Sequence, residues 1–192
     1  MAGILERPAA PTRHRLDVDA YYKMAEAGIL ADPCRVELID GDIIDMTPIG
    51  SAHAGHTNRL VRSFSRAAAD GSVLLTVQTP LRLDDYNEPQ PDVMLLRPRR
   101  DDYKDRHPGA ADVLLLVEVS DSSLAYDRNT KLALYARFGV PEVWIVDIPG
   151  GAVESYLAPR DGAYVHRERL SGGPVSPALV PEVTIDVAWL LA

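Results

Sequence analysis

Two carboxylates stand where a chain rarely places one. Asp92 opens the apolar run of QPDVMLL directly after Pro91, and Glu118 lies near the end of VLLLVEV. An ionised carboxylate in apolar surroundings is costly unless it is paired, neutralised or bound to a cation. Pro91 cannot donate to a ladder, which suits the start or edge of a strand, while Glu118 sits at the exit of a run that reads as a central strand. Neighbouring strands lie about 4.8 Å apart, so two acids level with each other could share one cation. Oxygen ligands of this kind suit Mg²⁺ or Mn²⁺ better than zinc. Lys131 falls 13 residues beyond Glu118, in the early turns of the helix predicted next, and can reach back toward the pair. A lysine beside a metal-bound water can orient or deprotonate it and stabilise charge growing on a phosphate oxygen. Glu37 alternates with Val36 and Leu38, faces away from them, and offers a further supporting acid.

Each of these residues also has a plainer reading. Asp92 can satisfy backbone donors at a strand start, and Glu118 can form a buried salt bridge with Arg128 or Lys131. Lys131 can be a solvated helix lysine, and Glu37 an exposed hairpin charge. Asp127 reads as a helix cap rather than a ligand. His53 and His56 in GSAHAGH have no third nitrogen ligand to complete a metal site, and Cys34 is too isolated for a thiol mechanism.

The elements that must position these groups can be read from periodicity and punctuation. Apolar spacing from Asp17 predicts a short helix capped by Asp17 or Asp19 and stopped near Gly28. RVELIDGDIIDM predicts a hairpin about Asp40-Gly41, a dipeptide that tolerates the positive φ of a tight turn. A second helix is expected over 52–69, and strands near 73–77, 81–83, 93–96 and 113–119. A third helix is expected over 127–138, closed by Gly139 and Pro141. EVWIVDI and AVESYL read as later strands. Residues 1–15 read as a flexible arm and 16–192 as one domain.

Composition narrows the function classes. A chain of 192 residues with one cysteine carries no internal disulfide framework and no multi-cysteine zinc site, and nothing points to an oxidising compartment. It has no apolar run long enough to span a membrane and no signal-peptide pattern, so a cytoplasmic protein is expected. A net charge of −8 argues against coating nucleic acid through bulk positive charge. It leaves room for a local basic patch, and the loop around Arg97, Arg99 and Arg100 is a candidate contact for a phosphate backbone.

Several ordered motifs add a resemblance. YYKMAEAGIL, RVELIDGDIIDMTPIGSAH, VQTPLRL, EPQPDV, EVS and DSSLAYDRNTKLALYARFGVPEVWIVD together cover nearly the whole chain. In them the sequence resembles the Uma-two family of restriction-endonuclease-like proteins, within the PD-(D/E)XK nuclease superfamily. The resemblance implies an α/β restriction-endonuclease-like core: a central mixed sheet flanked by helices, preceded by a helix and a hairpin. It also implies a Mg²⁺- or Mn²⁺-dependent endonuclease acting on nucleic acid, DNA above all; for cutting two strands a symmetric homodimer is the expected arrangement. Carried over by position, Asp92 and Glu118 become metal ligands with the carbonyl of Val119 as a natural third. Lys131 becomes the catalytic base or stabiliser and Glu37 the supporting acid. His53 matches a histidine often found at the start of the second helix and so falls near the site. The chain departs from the superfamily pattern at Ser120, two residues after Glu118, where a lysine is expected; Lys131 on the following helix takes that place. The competing expectation is a non-catalytic binding or assembly module that keeps the fold.

Overall fold

The computed structural model describes residues 12–30 and 35–192. Most of the arm expected over 1–15, and Cys34, lie outside the described residues. Arg15 and Leu16 are tied down: Arg15 donates to the carbonyl of Asp40 at 2.9 Å and Leu16 N–H to that of Gly41 at 3.0 Å.

The first helix, α1 (Val18–Glu26), begins where Asp17 accepts the N–H of Ala20, as its capping role requires. Strands β1 (Val36–Ile39) and β2 (Asp42–Asp45) form a separate two-stranded sheet. Asp40 and Gly41 both take positive φ at its turn, 49° and 79°, the conformation that matches the twist of a tight hairpin. Helix α2 (Ser51–Ala67) follows.

Strands β3 (Leu74–Val77), β4 (Val93–Leu96), β5 (Val113–Ser120), β6 (Glu142–Asp147), β7 (Ala152–Arg160) and β8 (Ala163–Leu170) make one six-stranded sheet in that order. Only β5 and β6 run parallel. Parallel neighbours need a crossover, and here it is a continuous helix built from α3 (Leu124–Tyr126), a π turn (Asp127–Lys131) and α4 (Leu132–Arg137). Two short strands, β9 (Pro174–Val175) and β10 (Ile185–Asp186), and helix α5 (Val187–Leu191) complete the chain.

The central strands β4, β5 and β6 are buried along their whole lengths, so they read as continuous apolar runs rather than alternating ones. One face of the sheet packs Val117, Val119 and Trp144 against Leu60 and Phe64 of α2. The other packs Met94, Leu116 and Ile145 against Tyr135 of α4. The crossover helix therefore lies on the face toward which Glu118 points.

Two expectations differ from the structure. Residues 81–83 form no strand: Leu81 N–H bonds the carbonyl of Pro89 and Leu83 N–H that of Asn87, so the segment closes a local loop instead of joining the sheet. The third helix starts three residues earlier than expected, at Leu124, which makes Asp127 an interior residue rather than a cap.

Candidate active site

The antiparallel register of β4 and β5 sets Val93 opposite Val117, which places Asp92, one residue before β4, level with Glu118. Asp92 accepts the Val119 N–H at 2.8 Å and meets Nε2 of His53 at 3.0 Å, both on Oδ2. Glu118 is anchored in the same manner. Its Oε1 takes the Tyr135 hydroxyl at 2.5 Å and Nζ of Lys131 at 2.9 Å. Each acid is thus fixed through one oxygen, and neither Oδ1 of Asp92 nor Oε2 of Glu118 has a hydrogen-bond partner among the described residues.

Glu37 arrives from a different sheet. Strand β1 docks through paired backbone bonds between Leu38 and Glu88, and Oε2 of Glu37 then accepts Gln90 N–H at 3.1 Å and faces Nζ of Lys131 at 3.2 Å. Lys131 is 3% exposed, which settles its placement: it is not a solvated helix lysine. Asp127, in the same π turn, is buried and accepts the hydroxyls of Ser120 at 2.7 Å and Ser123 at 2.6 Å. Ser120, where a lysine is expected in the superfamily pattern, thus holds an acid in place.

These groups line a cleft of about 340 Å³, walled on one side by residues 44–50 and bordered by Arg35 and His53. Three acids, Glu37, Glu118 and Asp127, bear on the ammonium of Lys131, and Asp92 lines the same cleft. Burial pushes the Glu118 carboxyl up to about 8, against the pull of Lys131. Burial likewise raises Asp127, again opposed by Lys131. For Lys131 burial disfavours the ammonium, but Glu118, Glu37 and Asp127 overcome it and hold the pKa well above the usual lysine value. The directions are compatible because acids outnumber the cation: the lysine stays charged while the surplus carboxylates compete for a proton. His53 is raised by its hydrogen bond to Asp92, in spite of burial.

Among the described residues no group of three or more His, Cys, Asp or Glu converges as a ready-made metal cluster. What the cleft offers instead, among its carboxylate oxygens without a partner in the described residues, is one on each of Asp92 and Glu118 at adjacent strand positions. That donor set fits a hard divalent cation such as Mg²⁺, which keeps several waters and takes one or two carboxylates.

Glu37, His53, Asp92, Glu118, Val119 and Lys131 all line the cleft. Arg97, Arg99 and Arg100 do not: they lie beyond the far end of β4 from Asp92, and Arg99 is paired with Asp101 at 2.7 Å. His56 bonds the carbonyl of Ala52 in its own helix. Sequence reasoning missed Tyr135 and Arg35 and set Asp127 aside. For Asp127 and Tyr135 a signal was present, since with Lys131 they recur at a spacing of four, one helix stripe facing Glu118.

A mixed sheet carrying paired acids at the ends of two central strands, with a lysine returned from the crossover helix, is the architecture of a restriction-endonuclease-like core. The family model of Uma2, described as "Putative restriction endonuclease", matches residues 18–188, and the chain belongs to that family. It is similar in structure to a protein from Anabaena variabilis ATCC 29413 described as "a putative nuclease belonging to DUF820". That match has a TM-score of 0.68 at 15% identity and covers 92% of this chain and 97% of the other. No curated protein matches the chain. No helix among the described residues is long and apolar enough to cross a membrane.

Proposed function

We propose that the protein is a divalent-metal-dependent endonuclease that hydrolyses phosphodiester bonds of nucleic acid, DNA above all, with its site in the cleft. The observation that carries this reading is the shared anchoring of Asp92 and Glu118, each held by two donors on one oxygen with the other left free. Those two oxygens, with the Val119 carbonyl, are the proposed ligands of Mg²⁺ or Mn²⁺. When bound, such an ion supplies an activated water and neutralises charge on the phosphate.

The chain's own residues have separate parts. Tyr135 and His53 fix the orientation of the two acids, and Ser120 and Ser123 fix Asp127. Lys131, held as an ammonium by three carboxylates, acts as an electrostatic stabiliser of charge on the phosphate rather than as a base. Glu37 keeps that ammonium at the cleft floor. Two copies of the chain cutting two strands, in the cytoplasm, complete the proposal; a symmetric pair is the usual way to act on a two-fold substrate.

The second reading, a non-catalytic module keeping the fold, is favoured by one observation: no three metal-binding side chains converge among the described residues. A nuclease assay on duplex and single-stranded DNA and RNA, with Mg²⁺, Mn²⁺ or EDTA, separates the two. Metal-dependent cleavage that disappears in Asp92→Ala is expected. Cleavage that survives in Asp92→Ala, or none by the parent with either metal, sinks the enzyme reading.

A further inference from the structure

A second concentration of buried charge borders the cleft. Glu154 on β7 is fully buried and accepts five hydrogen bonds. Its Oε1 takes Nη2 of Arg128 at 2.8 Å, Nη1 of Arg169 at 2.6 Å and Nη2 of Arg167 at 3.2 Å. Its Oε2 takes Nε of Arg128 at 3.0 Å and the Tyr156 hydroxyl at 2.6 Å. Asp147, ending β6, accepts from Arg128 and Arg169, both at 2.8 Å. Three guanidiniums therefore share two carboxylates.

The surplus cation is not needed to hold β8. Arg128 with Glu154 and Arg169 with Asp147 would already balance both acids. Arg167 adds one long bond to an oxygen that has two closer donors, and its side chain stays 57% exposed. The acids lie inside and the arginines outside: the side chains of Arg128 and Arg169 are 31% and 40% exposed, those of Asp147 and Glu154 at most 3%. Among the described residues, Nη1 of Arg128, Nε and Nη1 of Arg167 and Nε of Arg169 make no hydrogen bond.

Position adds to charge. The parallel register sets Asp147 beside Ser120, whose hydroxyl holds Asp127 in the cleft wall. Arg128 follows Asp127 directly in the π turn. The network thus starts about one strand spacing, ~4.8 Å, from the cleft. A chain with a net charge of −8 needs a local positive excess to hold a polyanion, and guanidinium forks match phosphate oxygens.

We propose that Arg128, Arg167 and Arg169 form a rail that binds backbone phosphates of the nucleic acid next to the one in the cleft. The proposal rests on the nuclease reading of that cleft. Because phosphate contacts position without reading sequence, the rail serves every substrate sequence alike.

The test is fluorescence anisotropy of labelled duplex and single-stranded oligonucleotides in Ca²⁺ across a salt series. Parent, Arg167→Gln, Arg167→Glu and, as a charge-matched control, Arg66→Gln on the exposed end of α2 are compared, with melting temperatures to verify folding. Arg167→Gln should weaken binding about tenfold, as for one charged hydrogen-bonded contact, and flatten the slope of log K against log salt by about one. Arg167→Glu should weaken it further, and Arg66→Gln should leave it unchanged. If the parent binds and Arg167→Glu matches it in affinity and slope, or Arg66→Gln does equal harm, the rail is wrong and the nuclease reading stands. If the parent binds no oligonucleotide, both fall.

Discussion

Two polar clusters share one face of the sheet, and they are built in opposite senses. In the cleft the carboxylates of Glu37, Glu118 and Asp127 bear on the single ammonium of Lys131; in the neighbouring network three guanidiniums surround two carboxylates. The network is saturated at its buried core, where every oxygen of Glu154 is engaged, and burial fails to raise that acid because the Arg128, Tyr156 and Arg169 bonds bring it down to about 2. The cleft leaves one oxygen of each of Glu37, Asp92, Glu118 and Asp127 without a partner among the described residues, and burial pushes Glu118 up to about 8. One cluster has matched its buried acids within the chain and turns its surplus positive charge outward, whereas the other, on the proposed reading, keeps carboxylate oxygens open to a cation. Buried charge of the first kind is balanced by its own partners; of the second kind it is held at a cost that function must explain.

The sharpest way to break this contrast is to remove an acid from the cleft. Asp92→Ala and Glu118→Ala should each abolish Mg²⁺ or Mn²⁺ binding by titration calorimetry, with the fold retained; a variant binding as tightly as the parent ends the shared-ligand reading. Next in size, Lys131→Met keeps most of the aliphatic stem and should lower cleavage by about 10²–10³, the scale of one lost electrostatic stabiliser, at nearly unchanged melting temperature. Full activity would leave Lys131 a structural ion pair and nothing more.

The network should answer differently. Glu154→Gln is expected to leave metal binding intact while lowering stability by about 2 kcal/mol, the scale of lost charged hydrogen bonds, measured by urea unfolding. The smallest effect is its pH dependence. Glu154 has a depressed folded pKa, so its contribution is present above the ordinary glutamate range and is lost as pH falls from about 4.5 toward about 2. The parent should lose stability through that window more steeply than Glu154→Gln. Equal slopes would mean that the arginines do not hold the carboxylate as described.

How much of this was legible beforehand divides along the same line. Asp92 and Glu118 announced themselves because a charge at the mouth of VMLL or inside VLLLVEV breaks a local pattern, and strand spacing supplied the rest. Glu37 and Lys131 could be carried over by motif, but the 53 residues between Glu37 and Gln90 meant that no local rule could show their hydrogen bond. The network left no such trace. Arg167 and Arg169 sit in an exposed, alternating strand, where charge is ordinary, and only the β7–β8 register opposes Arg169 to Glu154. Asp127 was misjudged because the helix begins upstream of it and its phase is broken within the very turn that carries it. The segment 81–83 has the composition of a strand, yet its backbone groups are taken by Pro89 and Asn87.

That broken phase reaches further than one residue. The π turn accommodates one residue more than an α-helix would, and Asp127, Arg128 and Lys131 all lie within it. Asn129 and Thr130, its exposed members, carry the turn on the solvent side. Winding these same residues as a regular α-helix, with none removed, would rotate everything upstream by about 100° relative to α4, carrying Asp127 away from Ser120 and Arg128 away from Glu154 while Lys131 and Tyr135 kept their aim at Glu118. The acid-rich and the arginine-rich cluster are therefore coupled mechanically, like two hands on one spindle, and the wide turn sets the phase they share.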